Sequence, residues 1–135
     1  MSKLGTIMLV DDEPSILSAL VETLEDDYNL MTATNGKEAL LLLDKKLPDL
    51  IISDVSMPVM DGLAFLSSLK QKGLAVKIPL IFLSAKGQVV DVEKGVSLGA
   101  YGYIVKPFLP TRLIDKVEEV FTKLAARKKM KEDKQ

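Results

Sequence analysis

Five short apolar runs alternate with five stretches of helical period, and few folds accommodate that order. The runs are Thr6 to Val10, Leu50 to Ser53, Leu80 to Leu83 and Tyr103 to Val105, with a weaker one at Leu30 to Ala33. They are nearly continuous in apolar residues rather than alternating, the pattern of parallel strands buried on both faces. Ile16, Leu17, Leu20 and Leu24 share one helical face, and Leu113, Ile114, Val117, Val120, Phe121 and Leu124 share another. Leucine-rich stretches of helical length span Gly36 to Lys46 and Gly62 to Lys72, and a poorer one runs from about Gln88 to Leu98. Pro14 and Pro110 sit where a first helical residue belongs, Asn35 and Asp61 where N-caps belong, and Gly73 and Gly99 where helices end. Such alternation predicts a parallel sheet with right-handed crossovers and helices on both faces, a doubly wound α/β domain. A chain of 135 residues, 47% of them hydrophobic, is enough for one such core.

Composition narrows the chemistry. There is no Cys, which excludes disulfides, thiolate metal sites and cysteine nucleophiles, and no His, which removes the commonest general base and metal ligand. A net charge of -1 gives no basic field that would point to direct nucleic-acid binding. No signal peptide is visible, and no run approaches the roughly 18 apolar residues of a membrane span. A cytoplasmic protein with no membrane association is the expectation. The segment 125–135, ending in "ARKKMKEDKQ", reads as a charged C-terminal helix end or the start of a linker after a domain over 1–124. Its basic cluster lacks the interleaved aromatics of a nucleic-acid reader.

In an open parallel sheet, ligands sit outside the carboxyl ends of the strands. The polar residues falling there are Asp11 and Asp12 after the first strand, Asp54 after the third, Ser84 after the fourth and Lys106 after the fifth. Clustered carboxylates repel by about 4 kcal/mol per pair at about 4 Å and an effective dielectric near 20. Raised pKa values or a bound cation relieve this, and an all-oxygen donor set suits Mg²⁺ or Mn²⁺ rather than zinc. Mg²⁺ shares its shell with phosphate oxygens, which Lys106 and the Ser84 hydroxyl also suit. The constellation fits phosphoryl transfer, with Asp54 as the carboxylate able to become an aspartyl phosphate. Glu13, before Pro14, reads only as a helix-start acid.

The segments "VDDEP", "LIISDVSMPVMDG", "IPLIFLSAKG" and "GAYGYIVKPF" resemble, in order and spacing, the signatures of two-component response regulator receiver domains, similar to chemotaxis-type single-domain regulators. The likeness runs from about Leu4 to Leu124. It implies a five-stranded flavodoxin-like fold with five helices, and a phosphorylation-activated switch rather than an enzyme. By that likeness Asp54 is the phosphoacceptor, served by a histidine kinase, a phosphotransfer protein or a small phosphodonor. Asp12 is the direct Mg²⁺ ligand, Asp11 acts through water, and the backbone carbonyl of Ser56 completes the protein's share of the shell. Ser84 is the switch hydroxyl, Tyr103 the aromatic switch, and Lys106 the phosphate contact, its bond to Pro107 cis. Ser56 and Lys86 stand where relatives tune phosphoryl lifetime. Output is expected at the surface of the fourth helix, fifth strand and fifth helix, toward a downstream protein or an output domain, in a monomer or a phosphorylation-dependent dimer. Tyr101 and Gly102 replace the acidic pair usual in winged-helix relatives. Two alternatives stay open: a degenerate receiver serving only as an interaction module, and a haloacid-dehalogenase-type phosphatase, whose second Asp is replaced here by Ser56.

Overall fold

The computed structural model describes residues 3–85 and 89–133. Lys86 and Gln88 lie outside the described residues. The elements follow in chain order as β1 (Thr6–Val10), α1 (Pro14–Leu24), β2 (Asn29–Ala33), α2 (Gly36–Leu43), β3 (Leu50–Asp54), α3 (Gly62–Gln71), β4 (Leu80–Ala85), α4 (Val89–Ser97), β5 (Gly102–Lys106) and α5 (Pro110–Asp133). All strand pairings are parallel and the order is β2-β1-β3-β4-β5, so the chain reverses direction across the sheet between β1 and β3.

Each inner strand serves two cores because its side chains alternate between faces. Ile7 and Leu9 of β1, Leu50 and Ile52 of β3, and Ile81 and Leu83 of β4 meet Leu20 and Leu24 of α1 and Leu113, Val117 and Val120 of α5. Met8, Val10, Ile51, Leu80 and Phe82 point the other way, onto Ala39 and Leu43 of α2 and Phe65, Leu66 and Leu69 of α3. Double burial holds for β1 and β3 throughout and for β4 up to Ser84. It fails for β2 and β5, which are edge strands: Asn29 and Thr32 are exposed, and so are Tyr103 and Val105. An edge strand lacks one lateral neighbour, and an apolar run does not reveal which strands are central.

The helix boundaries follow local chemistry. Pro14 and Pro110 begin α1 and α5. The side chains of Asn35 and Asp61 accept the backbone N–H groups of Glu38 and Ala64 at 2.9 and 2.8 Å, the N-cap bonds expected of them. Gly73 and Gly99, at φ 74° and 111°, follow α3 and α4 in conformations that a side chain resists. The helical stretch from Pro110 continues unbroken to Asp133, well past its last fully buried residue, Val120. Among the described residues no helix is long and apolar enough to cross a membrane.

Val59 in the β3–α3 connection and Gly62 at the start of α3 carry opposite backbone demands. Gly62 donates its N–H to the Val55 carbonyl at 2.9 Å, and a Cβ there would overlap the Asp54 carbonyl oxygen. Val59 stands at φ 68° inside a γ-turn closed by Met60 N–H to Pro58 C=O at 2.7 Å, a region costly for a β-branched residue. Equilibrium urea unfolding should find Gly62→Ala destabilised by about 1–3 kcal/mol, since the obstacle is backbone. Val59→Gly should gain about 1 kcal/mol, the relief of about 1–3 kcal/mol of strain exceeding the entropy cost of glycine.

Candidate functional site

Strand register builds the site. Val10 of β1 pairs with Ser53 of β3, so the next residues along, Asp11 and Asp54, leave the sheet side by side at the switch point. The Asp11 N–H is held by the Ala33 carbonyl at 3.1 Å and that of Val55 by the Leu83 carbonyl at 3.2 Å, which fixes both exits. Asp54 lies opposite Leu83, setting Ser84 one residue beyond, and Lys106 lies opposite Ala85.

Ligand oxygens of Asp11, Asp12 and Asp54 all lie within 4.8 Å of one another. Asp11 and Asp54 are buried, whereas Asp12 is exposed. Lys106 answers them: its Nζ donates to Asp54 Oδ2 at 3.2 Å and stands 3.8 Å from Asp11 Oδ2. Its side chain is 13% exposed, a partly buried cation rather than a solvated surface lysine. Asp11 Oδ1 accepts the Glu13 N–H at 2.9 Å, while Oδ2 is buried and has no hydrogen-bond partner among the described residues. At 3.8 Å the Lys106 ammonium is an ionic neighbour but not a hydrogen bond.

The electrostatics follow. Burial pushes the Asp11 carboxyl up to about 6; the Glu13 N–H draws it back and the Asp54 carboxylate adds to the rise. Burial disfavours the charge on Lys106, but Asp11, Asp54 and Glu13 outweigh it and hold its pKa above the ordinary lysine value. An unpaired buried carboxylate oxygen within a cluster of oxygen donors is what a hard divalent cation satisfies, so the residues fit Mg²⁺.

The other expected residues are placed less uniformly. Ser56 donates its N–H to Asp54 Oδ1 at 3.4 Å. Ser84 is buried at the same sheet edge, its hydroxyl donating to the Ala85 carbonyl at 3.2 Å. The Lys106–Pro107 bond is cis. Tyr103 is not in the pocket: it is 47% exposed and lines, with Leu109, Arg112 and Lys116, a groove of about 370 Å³ between β5 and α5. Tyr101, in the place of a relative's acid, donates to Glu119 Oε2 at 2.9 Å, with the Lys116 and Lys123 ammoniums 5.4 and 5.2 Å from its ring centre. One partner was missed: Glu13, read as a helix-start acid only, also sets its Oε1 3.8 Å from Lys106 Nζ. Its place one residue past the acidic pair, before the Pro14 that opens α1, was the signal available.

A doubly wound parallel sheet with an acidic pocket at its switch point, reached by Lys106 from the edge strand β5, defines a class of α/β domains. Comparison narrows the class: the response regulator receiver domain profile matches residues 7–118, and the chain belongs to that family. It is 42% identical over 115 residues to a probable transcriptional regulator, ycf29, of Porphyra purpurea, spanning 84% of this chain and 55% of that one. The chain thus spans about half the length of curated relatives it matches. Among solved structures it is similar to the chemotaxis response regulator CheY4 of Vibrio cholerae, with a TM-score of 0.79 and 35% identity over 85% of this chain and 97% of that one. It is also similar to NtrX of Brucella abortus, with a TM-score of 0.87 and 27% identity over 95% of this chain and 29% of that one. Receiver domains are phosphorylation-dependent signalling modules that bind Mg²⁺ at an acidic pocket and interact with histidine kinases and output domains.

The buried charge of Asp11 sets an expectation for stability. Asp11→Asn keeps the acceptor for the Glu13 N–H and removes the charge, so in chelator at neutral pH it should gain about 1–2 kcal/mol and melt several degrees higher. A lower melting point in that buffer would show that the carboxylate is not under electrostatic strain.

Proposed function

We propose that this chain is a phosphorylation-activated switch in which Asp54 accepts a phosphoryl group from the phosphohistidine of a histidine kinase or phosphotransfer protein. One observation carries the reading: the β1–β3 register gathers the oxygens of Asp11, Asp12 and Asp54 within 4.8 Å, with Lys106 Nζ 3.2 Å from the Asp54 carboxylate. Asp12 and Asp54 would hold Mg²⁺ directly, Asp11 through water, with the backbone carbonyl of Ser56 completing the protein's share; Mn²⁺ would serve in its place. When bound, the cation neutralises charge on the transferring phosphoryl oxygens.

The chain's own residues supply the rest. Asp54 is fixed at the end of a fully buried strand, so its oxygen meets the donor's phosphorus with little reorganisation. Lys106 offsets the charge that the phosphoryl group adds, and the Ser84 hydroxyl turns from the Ala85 carbonyl to a phosphoryl oxygen. Ser84 moving inward leaves room beside β5, and Tyr103, now in the outer groove, rotates toward it. The face built by α4, β5 and α5 thereby changes and acts on a downstream protein or an output domain. Reversing a 1:99 equilibrium to 99:1 takes about 5.5 kcal/mol of differential stabilisation by the phosphoryl group. This chain performs no turnover on an external substrate in this reading.

Intact-mass measurement after incubation with acetyl phosphate and Mg²⁺ tests it. The wild type should gain one phosphoryl group, and Asp54→Asn and Asp12→Ala should gain none. A gain that survives Asp54→Asn, or no gain in the wild type, would overturn the assignment. Steady release of phosphate from phosphate esters without a lasting adduct would favour the phosphatase alternative.

A further inference from the structure

We infer that Glu13 is a positioning residue for Lys106: its carboxylate draws the ammonium toward the mouth of the pocket and competes for it with the phosphoryl group on Asp54. The inference rests on the proposed role of Asp54. Glu13 is the N-cap of α1, with extended backbone at φ -92° and ψ 113°. An N-cap side chain ordinarily accepts an amide of the first helical turn, and that of Glu13 makes no such bond. Its Oε1 lies instead 3.8 Å from Lys106 Nζ.

The root of the side chain is pinned on both sides. The Glu13 N–H donates to Asp11 Oδ1 at 2.9 Å, and its carbonyl accepts the N–H groups of Ile16 and Leu17 at 3.1 Å each. The carboxylate itself is 57% exposed, while Lys106 is 13% exposed. Asp54 and Asp11 therefore attract the ammonium into the pocket and Glu13 attracts it outward. Of the three, Glu13 alone has no part in the proposed metal site, so its charge is spare for setting the lysine's position.

Phosphorylation by acetyl phosphate exposes the competition. An Asp54 oxygen forms its bond to phosphorus as the bond from phosphorus to the acetyl oxygen breaks, and acetate departs with that electron pair. Lys106 serves the phosphoryl oxygens only so far as Glu13 releases it. Because Glu13 faces solvent, salt weakens its hold more than that of the buried aspartates.

The test uses Glu13→Gln, which keeps size and backbone bonds, with Glu13→Asp as the charge-retaining control. At low ionic strength Glu13→Gln should be phosphorylated by acetyl phosphate about two- to fivefold faster than wild type, the effect of one partly exposed ion pair, and the difference should fade at high salt. In Mg²⁺-free protein the ¹⁵Nζ resonance of Lys106 should shift in Glu13→Gln and stay near its wild-type position in Glu13→Asp. An unchanged or slower rate, an increase indifferent to salt, or an unmoved Lys106 resonance would overturn the inference. Failure of the wild type to be phosphorylated would instead remove the Asp54 assignment, and the metal-free resonance would then decide whether Glu13 holds Lys106.

Discussion

The ammonium of Lys106 between Asp54 and Asp11 is the contact on which the acidic pocket depends. Two buried carboxylates leaving neighbouring strands repel each other in a medium that screens poorly, and a cation 3.2 and 3.8 Å away offsets much of that cost. The lysine arrives from the far edge of the sheet, so it reaches them only if β3, β4 and β5 keep their register. A slip of one residue in any of these pairings would turn every side chain of a strand to the other face and scatter the three charges. The two hydrophobic cores, by fixing which residues face which helices, thus also fix where the charges meet.

Much of this is legible in the sequence. The inner strands announced themselves because double burial leaves no polar residue in "IMLV" or "LII", and the helix ends because Pro14, Asn35, Asp61, Gly73 and Gly99 each answer a specific backbone need. Placing Asp11, Asp12, Asp54, Ser84 and Lys106 at one sheet edge needed only the rule that strand ends in a parallel sheet point the same way. The burial of β2 and β5 was misjudged because lateral position depends on strand order, which no local run of residues encodes. The contact of Glu13 with Lys106 was invisible for a related reason. It depends on the direction a side chain takes from a helix N-cap across to a strand more than ninety residues away.

Strand β5 joins two regions of different character. Its last residue, Lys106, is partly buried among carboxylates, and Tyr103, three residues earlier and about 10 Å along the strand, faces an open groove against α5. One short strand therefore has a charged end in the pocket and an aromatic side chain on the surface. Among the described residues its outer edge pairs with no other strand, so a shift of β5 would meet less resistance than a shift of β1 or β3.

The length of α5 has a mechanical consequence. The helix is seated through Leu113, Val117 and Val120, while every residue from Ala125 to Asp133 is exposed. Those last nine residues extend about 13 Å beyond the seated part at the usual helical rise. A tilt of about 10° at Val120 would swing the far end by about 3 Å, roughly a side chain's width. The helix is in effect a rod clamped at one end, and small readjustments beside β5 reach its tip magnified.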